Sequence, residues 1–115
     1  MLSLHHLDSF EYIVYDTYVH KPKTTEEKIV KTFPEQPELM LAIANCESGF
    51  NQNAVSHTRD FGVMQVNEKV WDEIAQEMGL DYKNDEDDNL KMARHIYEVQ
   101  SVNAWVCYDI VAMSL

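Results

Sequence analysis

Apolar residues are spaced for helices along most of the chain. After Pro37, the residues Leu39, Ile43 and Cys46 recur at intervals of three and four and share one helical face. Pro37 suits the first position of that helix, where its missing N–H would have no partner anyway. Gly49 supplies the stop, so a helix over 37–48 is predicted. Upstream, Thr24 and Glu27 have the spacing of a capping box and Pro34 is a helix breaker, which together predict a short helix over 25–33. Downstream, Asn67 is placed to cap a helix over 68–78, with Val70, Ile74 and Met78 inward and Gly79 at its end. Asp87 or Asp88 then caps "NLKMARHIYEVQ", and Asn103 caps a last helix in "AWVCYDIVAM".

Two stretches depart from this period. Residues 9–20, "SFEYIVYDTYVH", are aromatic and β-branched and fit a strand or a short helix equally. Residues 51–66 are irregular, with a short strand or hairpin placed near 60–66. The predicted fold is mainly α, about five short helices with at most a minor β-hairpin.

Composition narrows the function. The chain has 115 residues, 45% of them apolar, which suits one domain with a real core. A net charge of −11 argues against a nucleic-acid groove, since neutralising phosphates takes Lys and Arg. It argues equally against electrostatic docking on anionic membranes. No run is apolar enough to span a bilayer, and "MLSLHHLDSF" lacks the basic and apolar regions of a signal peptide. The five histidines show no metal spacing, and the acidic stretch 81–89 lacks the central glycine of a calcium loop. No metal or other cofactor is expected. Cys46 and Cys107 are one disulfide or two buried thiols.

The candidate chemistry begins at Glu47, in the closing turn of an apolar helix. The negative end of the helix dipole and the apolar neighbours both disfavour its ionised form. A carboxylic acid kept protonated is what general acid catalysis needs. The plainer alternative is a solvated Glu on the outer face of the helix. Asp60 is a second carboxyl, and a pair of carboxyls across a cleft is the minimum for glycoside hydrolysis. Gly62 allows a close backbone approach to a ligand, and Gln65 offers both a donor and an acceptor. Taken alone, Gln65 and Asn67 read as a turn with a helix cap.

Three segments carry a resemblance: "ESGFNQNAVS" at 47–56, "GVMQVN" at 62–67 and "CYD" at 107–109. Together they resemble the lysozyme-like superfamily, most closely the soluble-type lytic transglycosylases, over residues 37–115. The resemblance implies a lysozyme-like α+β domain over 37–115, with its cleft at the end of the helix 37–48. Residues 1–36 would be an N-terminal extension packing on that domain or leading into it. It further implies that Glu47 is the sole catalytic acid/base and that Ser48 supports it. Gly62, Met64 and Gln65 would hold the sugar, and Tyr108 would bond near the acid. Asp109 and Cys107 depart from the family's usual Asn and Ala. "DFGVMQVNEKVW" also resembles animal-type lysozymes, in which Asp60 matches the second catalytic carboxylate; small transglycosylases of conjugation and secretion systems carry an Asp there too.

The implied activity is cleavage of the bond between N-acetylmuramic acid and N-acetylglucosamine in peptidoglycan, with a 1,6-anhydro product. The alternatives are a muramidase that hydrolyses the same bond, and a non-catalytic module that binds glycan or a partner. The implied partner is the glycan strand, met outside the cytoplasm in periplasm, cell wall or phage particle. A secretion, conjugation or phage assembly would deliver a monomer. Of the candidate stacking faces, Phe61 is expected in the cleft, while Tyr97 and Trp105 sit at helical spacing expected of core; Trp71 is a further candidate. His57 reads as a surface loop residue. Because the resemblance brings Glu47 near Tyr108, their neighbours Cys46 and Cys107 come close enough for a disulfide between the first and last helices of the domain.

Overall fold

The computed structural model describes residues 9–11, 13–14, 21–22 and 24–114. Helix α1, Thr25–Thr32, starts at Thr24, whose hydroxyl accepts from the Glu27 N–H at 3.1 Å. Helix α2, Pro37–Ser48, starts on Pro37 and stops at Gly49, which takes the left-handed φ of 62° that glycine tolerates without cost. Helix α3, Glu68–Met78, is capped by Asn67, which accepts from the Val70 N–H at 3.1 Å. These ends fall where short-range capping chemistry puts them.

Other expectations need correcting. Helix α4, Glu86–Gln100, is capped by Asp85, two or three residues earlier than Asp87 or Asp88 would place it. Asp87 and Asp88 lie inside its first turn, where the helix dipole favours negative charge. Asn103 caps nothing; it lies in a 3-10 turn, Ser101–Ala104, and the last helix, α5, is Cys107–Ala112. Residues 9–11 and 13–14 are helical, which settles the strand-or-helix ambiguity for that part of 9–20.

Two helical faces are rotated from their predicted phase. Helix α3 buries Trp71 and Ala75, while Val70 and Met78 are 57% and 44% exposed. Two stripes fit the same period, and the one carrying the indole removes more apolar area from water. Helix α2 buries Met40, Ile43 and Ala44 and leaves Cys46 at the surface.

Strands β1, Asp60–Phe61, and β2, Val66–Asn67, pair antiparallel, Asp60 opposite Asn67 and Phe61 opposite Val66. The fold is mainly α with this one small hairpin. Ile29 and Phe33, from α1 and its end, share a core with Met40, Ile43, Met64 and Ile96. The stretch from 25 to 33, within the segment expected to pack on the domain or lead into it, contributes Ile29 and Phe33 to this core. The rest of the 1–36 assignment lies largely outside the described residues.

The segment between the strands is hung from a buried polar side chain. Asn89 on α4 is fully buried. It accepts from the Met64 N–H at 2.9 Å and donates to the Phe61 and Tyr82 carbonyls at 2.7 and 2.9 Å. Gln52 reaches the same place from the other side, accepting from the Val63 N–H at 3.2 Å. Gly62 lies between them with φ of 81°, and a Cβ there would come within 2.3 Å of the Asn89 amide. The close approach that needs a glycine is thus to Asn89 and Gln52, where the sequence suggested a ligand.

Replacing Asn89 by Leu would take its partner from the buried Met64 N–H and its donor from the Phe61 carbonyl, each loss costing about 1–3 kcal/mol, while the Tyr82 carbonyl keeps the Gln52 amide. Urea unfolding should show Asn89→Leu destabilised by about 3 kcal/mol or more, against less than about 0.5 kcal/mol for Val70→Ser on the exposed face of α3.

Candidate active site

Glu47 stands on the last turn of α2, half-buried, and its Oε2 accepts from the backbone N–H of Cys107 at 3.1 Å. Ser48 beside it donates to the Val63 carbonyl at 2.7 Å and ties the end of α2 to the inter-strand segment. Across from them Asp60 projects from β1. Its carboxylate accepts from Ser56 Oγ at 2.6 Å, Thr58 Oγ1 at 2.5 Å and Asn67 Nδ2 at 2.9 Å. Asn67 therefore spends its oxygen on capping α3 and its nitrogen on holding Asp60.

The two carboxyls are driven in opposite directions. Burial raises the pKa of Glu47; the Cys107 N–H pulls it back in part, and the charge of Asp60 raises it further. Burial also acts upward on Asp60, but its three hydrogen bonds, with His57 nearby, outweigh that and hold it below the ordinary value. One acid pushed towards its protonated form beside one pushed towards its ionised form is the division of labour that acid-assisted bond cleavage uses.

A pocket of about 90 Å³ joins them, lined by Glu47, Asp60, Gln65, Trp71, Trp105, Val106 and their neighbours. That volume is well under the few hundred Å³ that enclose a whole ligand, so it accepts a bond and the atoms around it. Two tryptophans are among the lining residues. Trp105, a candidate stacking face at spacing expected of core, is buried and lines the pocket, its N–H donating to the Met64 carbonyl at 2.7 Å. Trp71 does the same from α3. Tyr97 lies elsewhere, edge-on to Phe33 and donating to Gln36.

Several predicted site residues do not reach this pocket. Phe61 is one. On a strand, neighbours point to opposite faces, so with Asp60 in the pocket Phe61 must turn away. It packs against Tyr82 with Arg59 and Lys83 over its ring, at 4.8 and 4.9 Å from its centre. Met64 is fully buried, with its N–H and carbonyl taken by Asn89 and Trp105. Gln65 does line the pocket, but its NH2 donates to the Ala54 and Gly62 carbonyls at 3.1 and 2.9 Å. Those bonds steady a left-handed φ of 51° that a non-glycine residue seldom adopts. Tyr108 packs partly against the core and is not part of the lining; the group on Glu47 is the amide of the preceding residue. Cys46 and Cys107 are joined as a disulfide, with Cα atoms 6.0 Å apart. A larger groove, about 840 Å³, lies between α1 and α4, but its Lys28 and Arg94 are paired with Glu86, Asp87, Glu35 and Glu98. Among the described residues no group of three or more His, Cys, Asp or Glu could hold a metal ion.

A protein-family model described as the Transglycosylase SLT domain matches residues 25–97. The chain belongs to this family. The match takes in Glu47, Asp60, Gln65 and Trp71 of the pocket and ends before Trp105 and Cys107. No curated protein and no solved structure matches the chain significantly. In this SLT domain, sequence reading missed Asn89 and Gln52, which hold the inter-strand segment, and the amide that touches Glu47. The polar residue inside the apolar stripe of α4 was the available signal for Asn89; a backbone N–H leaves none.

Proton linkage gives the two acids opposite signatures. Glu47 binds its proton more tightly folded than unfolded, so it costs stability as pH rises through its ordinary 4.5 towards its folded value. Glu47→Gln should melt higher than the parent above that range and lose the advantage below it. Asp60 contributes stability that is present above its ordinary 3.8 and lost as pH falls through its lower folded value. Asp60→Asn should melt lower at neutral pH, with the gap closing in acid. Thermal melts across pH 2–8, a window set by ordinary carboxylate titration, check both.

Proposed function

We propose that the domain is a peptidoglycan lytic transglycosylase that acts outside the cytoplasm on the bond between N-acetylmuramic acid and N-acetylglucosamine. The observation that carries this reading is Glu47, a half-buried acid with a raised pKa in a pocket it shares with Asp60, Trp71 and Trp105, inside the segment matched by the SLT model. Protonated Glu47 gives its proton to the leaving glycosidic oxygen. The same carboxylate then takes the proton of the muramic acid C6 hydroxyl, which closes on the anomeric carbon and yields a 1,6-anhydro end. The substrate's own acetamido group stabilises the positive centre, so no second carboxylate is required to bond covalently. Trp71 and Trp105 offer apolar faces for the sugar rings, and Gln65 offers its amide oxygen. The glycan strand is the partner, and delivery by a secretion, conjugation or phage assembly fits a wall-cutting domain with net charge −11 meeting an anionic polymer.

One observation favours a second reading. Asp60 is held ionised in the same pocket as Glu47, which suits stabilisation of an oxocarbenium centre while water attacks. The domain would then be a muramidase. A glycan-binding module without turnover would need neither carboxyl tuned.

Digestion of purified peptidoglycan followed by mass spectrometry separates these. Anhydro ends are expected; reducing ends would identify the muramidase, and intact polymer the binding module. Glu47→Gln should lose about 10²–10⁴-fold in rate, the usual contribution of general acid–base catalysis, with its unfolding midpoint not lowered. Asp60→Asn should keep most of the rate in the transglycosylase and lose it in the muramidase.

A further inference from the structure

Cys107 connects twice to the end of α2. Its sulfur is bonded to Cys46, the residue immediately before Glu47, and its N–H donates to Glu47 Oε2 at 3.1 Å. The helix that carries it also packs along α2. Helix α5 has six residues, of which Cys107 is the buried one. Tyr108 and Val111 pack partly on the core, while Val106, Ile110 and Met113 are 83%, 60% and 89% exposed. Upstream the chain is pinned at Trp105, through its indole N–H to Met64. Between that pin and the end of α5, Cys107 adds a covalent attachment to that packing.

We propose that the Cys46–Cys107 disulfide is a positioning element of the active site: it holds the Cys107 amide on the Glu47 carboxyl, and its reduction withdraws that amide and slows cleavage. This rests on the reading of Glu47 as the acid. The step is an exchange with a dithiol reductant, which supplies two electrons and two protons; the bond becomes two thiols and the dithiol closes to its own disulfide. Compartments that keep thiols reduced would hold the acid unfinished, and an oxidising one would complete it.

The geometry dictates a signature beyond lost stability. The Cys107 N–H is the contact that favours ionised Glu47. Asp60, on β1, is the charged group acting on Glu47 in this pocket, and it has no tie to α5, so its influence survives reduction. Removing the amide therefore moves Glu47 titration to higher pH, and with it the alkaline limb of the rate profile.

The test compares the full chain oxidised, the same chain reduced with dithiothreitol, and Cys46→Ala with Cys107→Ala. The readouts are the 13C titration of the Glu47 carboxyl, peptidoglycan cleavage against pH, and helical circular dichroism. Expected is a retained helical signal, a rate lower by roughly tenfold or more from a displaced acid, and both midpoints moved upward, with recovery on reoxidation. Unchanged midpoints overturn the proposal even if the melting temperature falls. Loss of the helical signal in both the reduced chain and the double variant overturns it as well, since the bond would then be a general staple. If the oxidised chain leaves peptidoglycan uncut, the catalytic reading fails; the carboxyl titration then decides the linkage by itself.

Discussion

The constraint on which the rest depends is the satisfaction of backbone groups around Phe61 to Met64 by one buried amide. Two strands of two residues each are too short to hold their own geometry. Asn89 supplies from α4 the acceptor and donors that a longer sheet would have supplied. Gln52 closes the opposite side, and Gly62 leaves the space for both. With that segment fixed, the Val63 carbonyl is presented to Ser48 and the Met64 carbonyl to Trp105. The end of α2 and one wall of the pocket are thus referenced to the same short piece of chain. The polar core here is fully connected, which is the condition under which a buried network rigidifies and does not merely cost energy.

From that frame the two acids acquire different surroundings by different means. Glu47 sits where a helix ends among apolar groups and receives one amide. Asp60 sits in a turn rich in hydroxyls and receives three hydrogen bonds. His57 adds a smaller electrostatic pull on Asp60. Two ordinary carboxyls are separated in acidity by burial on one side and donors on the other, within a single small pocket.

Much of this was legible in the sequence because it is local. Thr24, Pro37, Gly49, Asn67 and Gly79 each act within a few residues, and the helix ends they mark are where they were expected. Glu47 stood out because it contradicts local preference at a helix end. What could not be read depends on contacts across the fold. The phase of α3 turned on whether an indole or a valine wins the inward face. The direction of Phe61 could not come from alternation in a strand of two residues, so the aromatic beside the glycine looked like a wall of the cleft, and Trp105, which lines the pocket, looked like core. Asn89 reads as a polar interruption of α4 until the carbonyls it serves are placed. The amide of Cys107 has no side-chain code at all.

The disulfide and the amide bond both span about half the chain, with 61 residues separating the two cysteines. A ribosome delivers amino-terminal residues first, so Glu47 leaves the exit tunnel long before its partner. The emerging polypeptide can therefore assemble α1 and α2 while Glu47 still lacks the amide that bonds its carboxyl. Completion waits for the arrival of a distant residue and an oxidant together, which makes timing, as well as shape, a property written into this arrangement.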